Sequence, residues 1–216
     1  MKAPKSLMNV CLAIAASCLS FSAAAQTAAY SLGSTDVSKF GSGPYGSVTL
    51  TQSSSDVLVN VSLRSDLNFV DTGSHSIFSF NLGGTSSLND TTGITFANGQ
   101  NDSFSVSTGT NNSPFSTFTY EINCFGKCTH GGSGGGYVDP LSFKVLNASI
   151  ADFGQLSKGH EGTAAYFAAD VINISGSTGV IGATVAAVPE PETYALMLVG
   201  LGIMGTVVRR RNSKNV

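Results

Sequence analysis

Residues 47–63, SVTLTQSSSDVLVNVSL, decide the fold class. Every second residue from Val57 to Leu63 is apolar, and this period of two is typical of a β-strand with one buried face. Apolar residues also alternate in the preceding segment 47–52, and the polar segment 53–56 between the two is suited to a turn. The stretch therefore predicts a β-hairpin.

Short runs of the same kind recur along the middle of the chain. They are rich in Phe, Val, Ile and Thr, and clusters of Gly, Asn, Asp and Ser separate them. This spacing predicts an all-β domain, an antiparallel β-sandwich or a jelly-roll-like fold. Segment 149–157 is predicted as a short helix or an irregular connection. The further predicted strands are 77–82, 93–97, 102–107, 116–122, 141–148, 163–173 and 179–187.

The N-terminal segment 1–25 has the features of a secretory signal peptide. Lys2 and Lys5 precede an apolar run, and small residues at 23–25 form the pattern that signal peptidase accepts. We predict cleavage by signal peptidase between Ala25 and Gln26, and therefore export of the chain.

The C-terminal segment 188–216 combines three features in order. Residues 188–193 are a Pro- and Glu-rich motif, residues 194–208 are an apolar run that predicts one transmembrane helix, and 209–216 form a basic tail that begins with Arg209, Arg210 and Arg211 as the membrane stop. The prolines are expected to hold the motif extended, with an unpaired backbone that a cleaving enzyme can bind.

This order resembles the PEP-CTERM sorting signal of Gram-negative bacteria. The matching residues are Pro189, Glu190 and Pro191, followed by the apolar run and the three arginines. The resemblance implies recognition by an exosortase that cuts near the motif, after a transient stay in the inner membrane. It also implies co-occurrence with exopolysaccharide production and a destination on the cell surface or in the extracellular matrix.

The segment between the two ends, 26–187, has the length of one domain. It contains five basic and eleven acidic residues, a net charge of −6. A surplus of negative charge excludes nucleic acid as a partner, because binding to phosphates depends on Lys and Arg. No cofactor is predicted.

Cys124 and Cys128 are the cysteines that remain after signal removal, and an oxidising compartment favours a disulfide between them. One alternative is a zinc site that adds His130, with or without Asp139, at an uncommon ligand spacing, and another is a pair of free thiols. The glycine-rich run 131–136 lacks the residues of a phosphate-binding loop and predicts a flexible surface loop.

Other candidate residues do not form a recognisable catalytic pattern. Residues 71–75 contain Asp, Ser and His, but adjacency in sequence does not produce the geometry of a triad. Asp152, Glu161 and Asp170 are carboxylates of the kind that glycosidases use, yet their spacing selects no pair.

We therefore predict a non-enzymatic structural protein of an exopolysaccharide or biofilm matrix. The alternative is a glycan-binding or adhesive module, for which Tyr45, Phe125 and Tyr137 are the expected exposed aromatic residues. A secreted hydrolase is the less favoured third interpretation.

Overall fold

A computed structural model describes residues 25–73, 75–84, 91–96, 103–109, 111–125, 136, 140–158, 163–184, 188–189, 197, 201 and 204. Among these residues the chain forms thirteen β-strands, and every pairing between them is antiparallel. The prediction of an all-β antiparallel fold is confirmed. The strands are β1 Thr27–Leu32, β2 Ser34–Thr35, β3 Gly46–Ser53, β4 Asp56–Leu63, β5 Leu67–Phe69, β6 Phe78–Phe80, β7 Thr91–Phe96, β8 Ser103–Thr108, β9 Tyr120–Phe125, β10 Leu141–Val145, β11 Phe167–Asn173, β12 Thr178–Ala183 and β13 Val188–Pro189.

The strands form two sheets. Sheet A has the order β13-β1-β3-β4-β10-β7, and sheet B has the order β2-β12-β11-β6-β9-β8, with β5 also paired to β11. Each sheet contains strands from both halves of the chain, and β13 pairs with β1, so the two ends of the domain meet in space.

The predicted hairpin 47–63 is confirmed as β3 and β4. Eight residue pairs join the two strands, from Gly46 opposite Leu63 to Ser53 opposite Asp56. The loop has two residues, Ser54 and Ser55. Several other predicted strands exist with shifted ends, as in β9, which begins four residues after the predicted start.

Aromatic side chains join the two sheets across one core. The Tyr30 ring of sheet A lies 4.8 Å from the Phe167 ring of sheet B, measured between centroids. The Phe143 ring of sheet A lies 5.8 Å from that of Phe78 in sheet B. All four side chains are buried, and burial of apolar surface of this kind dominates the stability of a fold.

Segment 149–157 contains a short 3₁₀ helix, Ile150–Phe153, as predicted for a short helix or connection. Ser149 and Asp152 cap its first turn: the Ser149 N–H donates to Asp152 Oδ2 over 2.7 Å. Phe153 is buried against the core.

The predicted transmembrane helix 194–208 lies for the most part outside the described residues. Met197, Leu201 and Met204 are described, are helical, and expose more than half of their side-chain surface. In the described portion of the chain, no helix has both the length and the apolar character needed to cross a bilayer. Of the predicted signal peptide 1–25, Ala25 alone is described.

Candidate functional site: the sheet edge that holds the sorting motif

The first two residues of the predicted motif segment belong to sheet A. Val188 and Pro189 form β13, which pairs with β1: Val188 lies opposite Ala29, and Pro189 lies opposite Ala28. The strands are antiparallel, so the chain at Pro189 runs toward Thr27, where β1 begins.

The hydrogen-bonding pattern of β1 explains this register. The carbonyl of Gln26 accepts from the Gln52 N–H, and the carbonyl of Leu32 accepts from the Tyr45 N–H. Backbone groups of successive strand residues point to opposite sides, so Ala28 faces β3 and Ala29 faces β13. Pro189 therefore lies opposite Ala28, whose backbone N–H and carbonyl point toward β3 and away from β13. A proline at this position lacks an N–H but loses no hydrogen bond to β1.

The expectation that the motif has an unpaired backbone is wrong at Val188, whose backbone groups face Ala29 of β1. The backbone is extended as expected, but β1 has a second edge that accepts a strand, and unpaired edge groups favour pairing. Glu190, Pro191 and Arg209 to Arg211 lie outside the described residues.

The predicted signal-peptidase site lies at the same edge. Ala25 and Gln26 are exposed and directly precede β1. The cut between them stays a prediction, and a mature chain that begins at Gln26 would keep the whole of β1. The two predicted processing sites are thus neighbours in space although about 160 residues separate them.

Asp170 on β11 is fully buried and joins this strand to the loop that follows β5. Its Oδ2 atom accepts from the Thr72 N–H over 2.9 Å and from the Thr72 hydroxyl over 2.6 Å. Among the described residues Oδ1 has no hydrogen-bond partner. Burial raises the pKa of Asp170 to about 7, the bonds from Thr72 oppose this rise, and the charge of Asp71 adds to it.

Two further carboxylates lie close to this segment. Asp71 Oδ2 accepts from the Cys124 N–H over 2.9 Å, and burial together with the charge of Glu121 raises the pKa of Asp71. The buried Glu121 accepts from the hydroxyls of Ser76 over 2.7 Å and Ser107 over 2.6 Å. Each of these carboxylates joins segments distant in sequence, which is a structural use of their charge.

The structure does not bring Asp152 and Asp170, two of the candidate glycosidase carboxylates, into one site. Asp152 caps the 3₁₀ helix, Asp170 is buried in sheet B, and Glu161 lies outside the described residues. Sequence reasoning missed Glu121 and gave Asp71 no structural role, because their partners are distant along the chain. Of the residues that the structure describes, no three or more of His, Cys, Asp and Glu form a group that could hold a metal ion.

Cys124 is buried on β9, and Cys128, His130 and Asp139 lie outside the described residues. Both the disulfide and its zinc alternative therefore stay predictions. One residue of the run 131–136 is described: Gly136 has φ +87° and lies against β5, where an added Cβ would be 2.6 Å from the Phe69 carbonyl oxygen. At this one position the run contacts the domain; residues 131–135 lie outside the described residues, and the flexible surface loop stays a prediction.

Tyr45, Phe125 and Tyr137 were the aromatic residues predicted to be exposed, and for Tyr45 the prediction is wrong. Its side chain is buried, its hydroxyl donates to the Gly41 carbonyl over 2.7 Å, and the Arg64 guanidinium lies 5.2 Å from the ring centroid. The ring is covered because Arg64, nineteen residues away, folds over it. Phe125 at the end of β9 is 55% exposed, and Tyr137 lies outside the described residues.

Comparison with known proteins identifies the C-terminal segment. No curated protein and no solved structure matches this chain. A family model, the PEP-CTERM protein-sorting motif, matches residues 187–211, which include β13, Glu190, Pro191 and the three arginines. The chain is therefore a protein that contains a PEP-CTERM sorting motif.

Proposed function

We propose that this chain is an exported protein that an exosortase sorts to the cell surface through residues 187–211, and that its β domain is a structural component of an exopolysaccharide matrix. Signal peptidase removes 1–25, the inner membrane holds the intermediate, and the exosortase then cuts near Pro189–Pro191. The observation that carries the proposal is the match of residues 187–211 to the sorting motif.

The arrangement of the domain supports a structural role without catalysis. The buried carboxylates Asp170 and Glu121 accept hydrogen bonds from the hydroxyls of Thr72, Ser76 and Ser107. They thereby join sheet B to the connection between β5 and β6, and β9 to β8. A net charge of −6 over residues 26–187 keeps such a domain soluble and reduces indiscriminate binding to acidic polysaccharide.

Mass spectrometry of the exported protein tests the sorting step. In cells that contain the exosortase we expect a mature chain that begins at Gln26 and has lost the residues after the motif. In cells that lack the enzyme we expect the C-terminal residue Val216 to be retained. A variant with Pro189→Ala and Pro191→Ala should behave as the enzyme-deficient strain does. Val216 in the exported protein of enzyme-containing cells would contradict the proposal.

A second function, glycan binding, is favoured by one observation. Phe125 exposes 55% of its surface at the end of β9, and exposed aromatic rings of this kind commonly form contacts in recognition surfaces. We expect the exported domain to be retained on immobilised matrix polysaccharide, and Phe125→Ser to reduce the retention at least several-fold.

The matched control for Phe125 is Ile174→Ser, because Ile174 is an apolar side chain with 72% exposure elsewhere on the domain. Equal loss of retention in both variants would indicate a general effect of surface hydrophobicity. No retention of the unaltered domain would leave the structural role as the better account.

A further inference from the structure

We propose that the pairing of β13 with β1 is a latch that restrains the sorting motif, and that exosortase processing requires this pair to open. The proposal rests on the sorting function proposed above and concerns the regulation of that same site. It assigns a role to the N-terminal strand of the mature domain in the processing of the C-terminal segment.

The pairing with β1 occupies one side of the motif backbone at Val188. Enzymes and domains that recognise extended peptides commonly do so by pairing with the peptide backbone as an added strand. At Val188, the N–H and carbonyl groups that face Ala29 are already engaged by β1 according to the alternation along that strand. An enzyme that pairs with this side of the chain must first displace β1.

The β13–β1 pair is short and can open while the rest of the sheet stays formed. β13 has two residues, Val188 and Pro189, and Pro189 cannot donate a hydrogen bond. Short strands at a sheet edge open at a small fraction of the free energy of global unfolding. The other edge of β1 pairs with β3 through six residues, from Thr27 to Leu32, so β1 stays in the sheet when β13 leaves.

The direction of β13 along β1 determines how much of the pair must open. Pro189 lies opposite Ala28, and Thr27 is the one residue of β1 that remains beyond it in that direction. The edge of β1 therefore ends one residue beyond the position that faces Pro189. Opening two residues is enough to free the chain upstream of Glu190, and the latch delays processing without preventing it.

A reversible cross-link tests this inference in the full chain. The variant Ala29→Cys with Val188→Cys places two thiols at paired positions. The Cα atoms of a hydrogen-bonded antiparallel pair are about 5.5 Å apart, which lies within the range of about 4.4 to 6.8 Å over which disulfides form. In exosortase-containing cells we expect the oxidised variant to stay at the precursor mass and to be processed after addition of dithiothreitol, with at least a tenfold change in rate.

Two controls isolate the latch. Thr51→Cys with Leu58→Cys places the same cross-link between β3 and β4, at paired positions that do not involve β13. This control and each single-cysteine variant should be processed at the unaltered rate. Processing of the oxidised Ala29–Val188 variant at that rate overturns the latch. Failure of its disulfide to form, when the β3–β4 disulfide forms, overturns the pairing itself.

The opposite change gives an independent measurement. Ala29→Pro removes the N–H that β1 turns toward Val188, while the N–H groups facing β3 belong to Ala28 and Tyr30. We expect processing about fivefold faster, the effect of one hydrogen bond of about 1 kcal/mol. An unchanged or slower rate in a variant that keeps its melting temperature would contradict the latch. Absence of processing in the unaltered chain would instead contradict the sorting function.

Discussion

The buried carboxyl of Asp170 gives the domain a pH-dependent stability of known sign. Its pKa in the folded state is about 7, above the ordinary value of 3.8, because burial disfavours its charge. Between these two values the folded state binds a proton that the unfolded state has lost. Stability from this group is therefore greatest below about pH 4, falls as pH rises toward 7, and is constant above.

Asp170→Asn should remove this dependence, because the amide has the shape of the protonated carboxyl and carries no charge. Relative to the unaltered domain, we expect the variant to gain up to about 1.4 kcal/mol per pH unit between pH 4 and 7. Urea unfolding at pH 4.5, 6 and 7.5 measures the difference. The raised pKa of Asp71 gives both proteins a pH dependence of the same sign, so its contribution cancels when the two are compared. The exposed Asp36→Asn is the control, and an equal slope in both variants would contradict the assignment to Asp170.

Residue-level environments were predictable from sequence only where the determining neighbour is local. The apolar face of Val57, Val59 and Val61 follows from their own spacing, and all three are fully buried. Tyr45 was expected on the surface, because the Arg64 side chain that covers it belongs to a different strand end. Asp170 likewise meets Thr72 across 98 positions of sequence. Long-range contacts of this kind leave no periodic signal.

At the scale of elements, the hairpin of β3 and β4 contains a strained loop residue. Ser54 is the first residue of the two-residue loop and has φ +56°. Two-residue hairpin loops of types I′ and II′ require positive φ at this position, which glycine adopts without steric cost. We expect Ser54→Gly to raise the free energy of unfolding by about 0.5 to 1 kcal/mol.

The neighbouring Ser55→Gly is the matched control for this loop. Ser55 does not have positive φ, so glycine there adds backbone entropy to the unfolded chain and relieves no strain. We expect it to lower stability by about 0.5 kcal/mol. Chemical denaturation of both variants measures the pair, and a loss of stability in Ser54→Gly would show that the hairpin loop does not prefer glycine.

The strands missing from the sequence prediction are short or lie next to another signal. β1 alternates buried Ala28, Tyr30 and Leu32 with more exposed residues, but its small residues follow directly after the predicted cleavage site. β5 has three residues and β13 has two. An alternating pattern needs about four residues to be recognised. The strands β5 and β13 are shorter than this, so they can be identified only once the strands that they pair with are in place.

At the scale of the whole molecule, sheet A brings together both ends of the domain. β1, which directly follows the predicted signal-peptidase site, lies between β3 and β13. The start of the sorting motif is thus joined to the domain through two residue pairs, while β1 pairs with β3 along its full length of six residues. Removal of the C-terminal segment should leave the core intact, because the aromatic contacts between the sheets involve neither Val188 nor Pro189.

We therefore expect a mature chain truncated after Thr184 to fold, with a melting temperature within a few degrees of that of the chain ending at Pro189. The loss is limited to one two-residue edge pairing, worth about 1 kcal/mol, which shifts the melting temperature of a domain of this size by about 2–4 °C. Deletion of 26–32 is the contrasting control: it removes six residue pairs with β3 and the buried Tyr30 and Leu32, and it should abolish cooperative unfolding. Calorimetry of the three chains measures this. Loss of folding on truncation after Thr184 would show that β13 is part of the cooperative core.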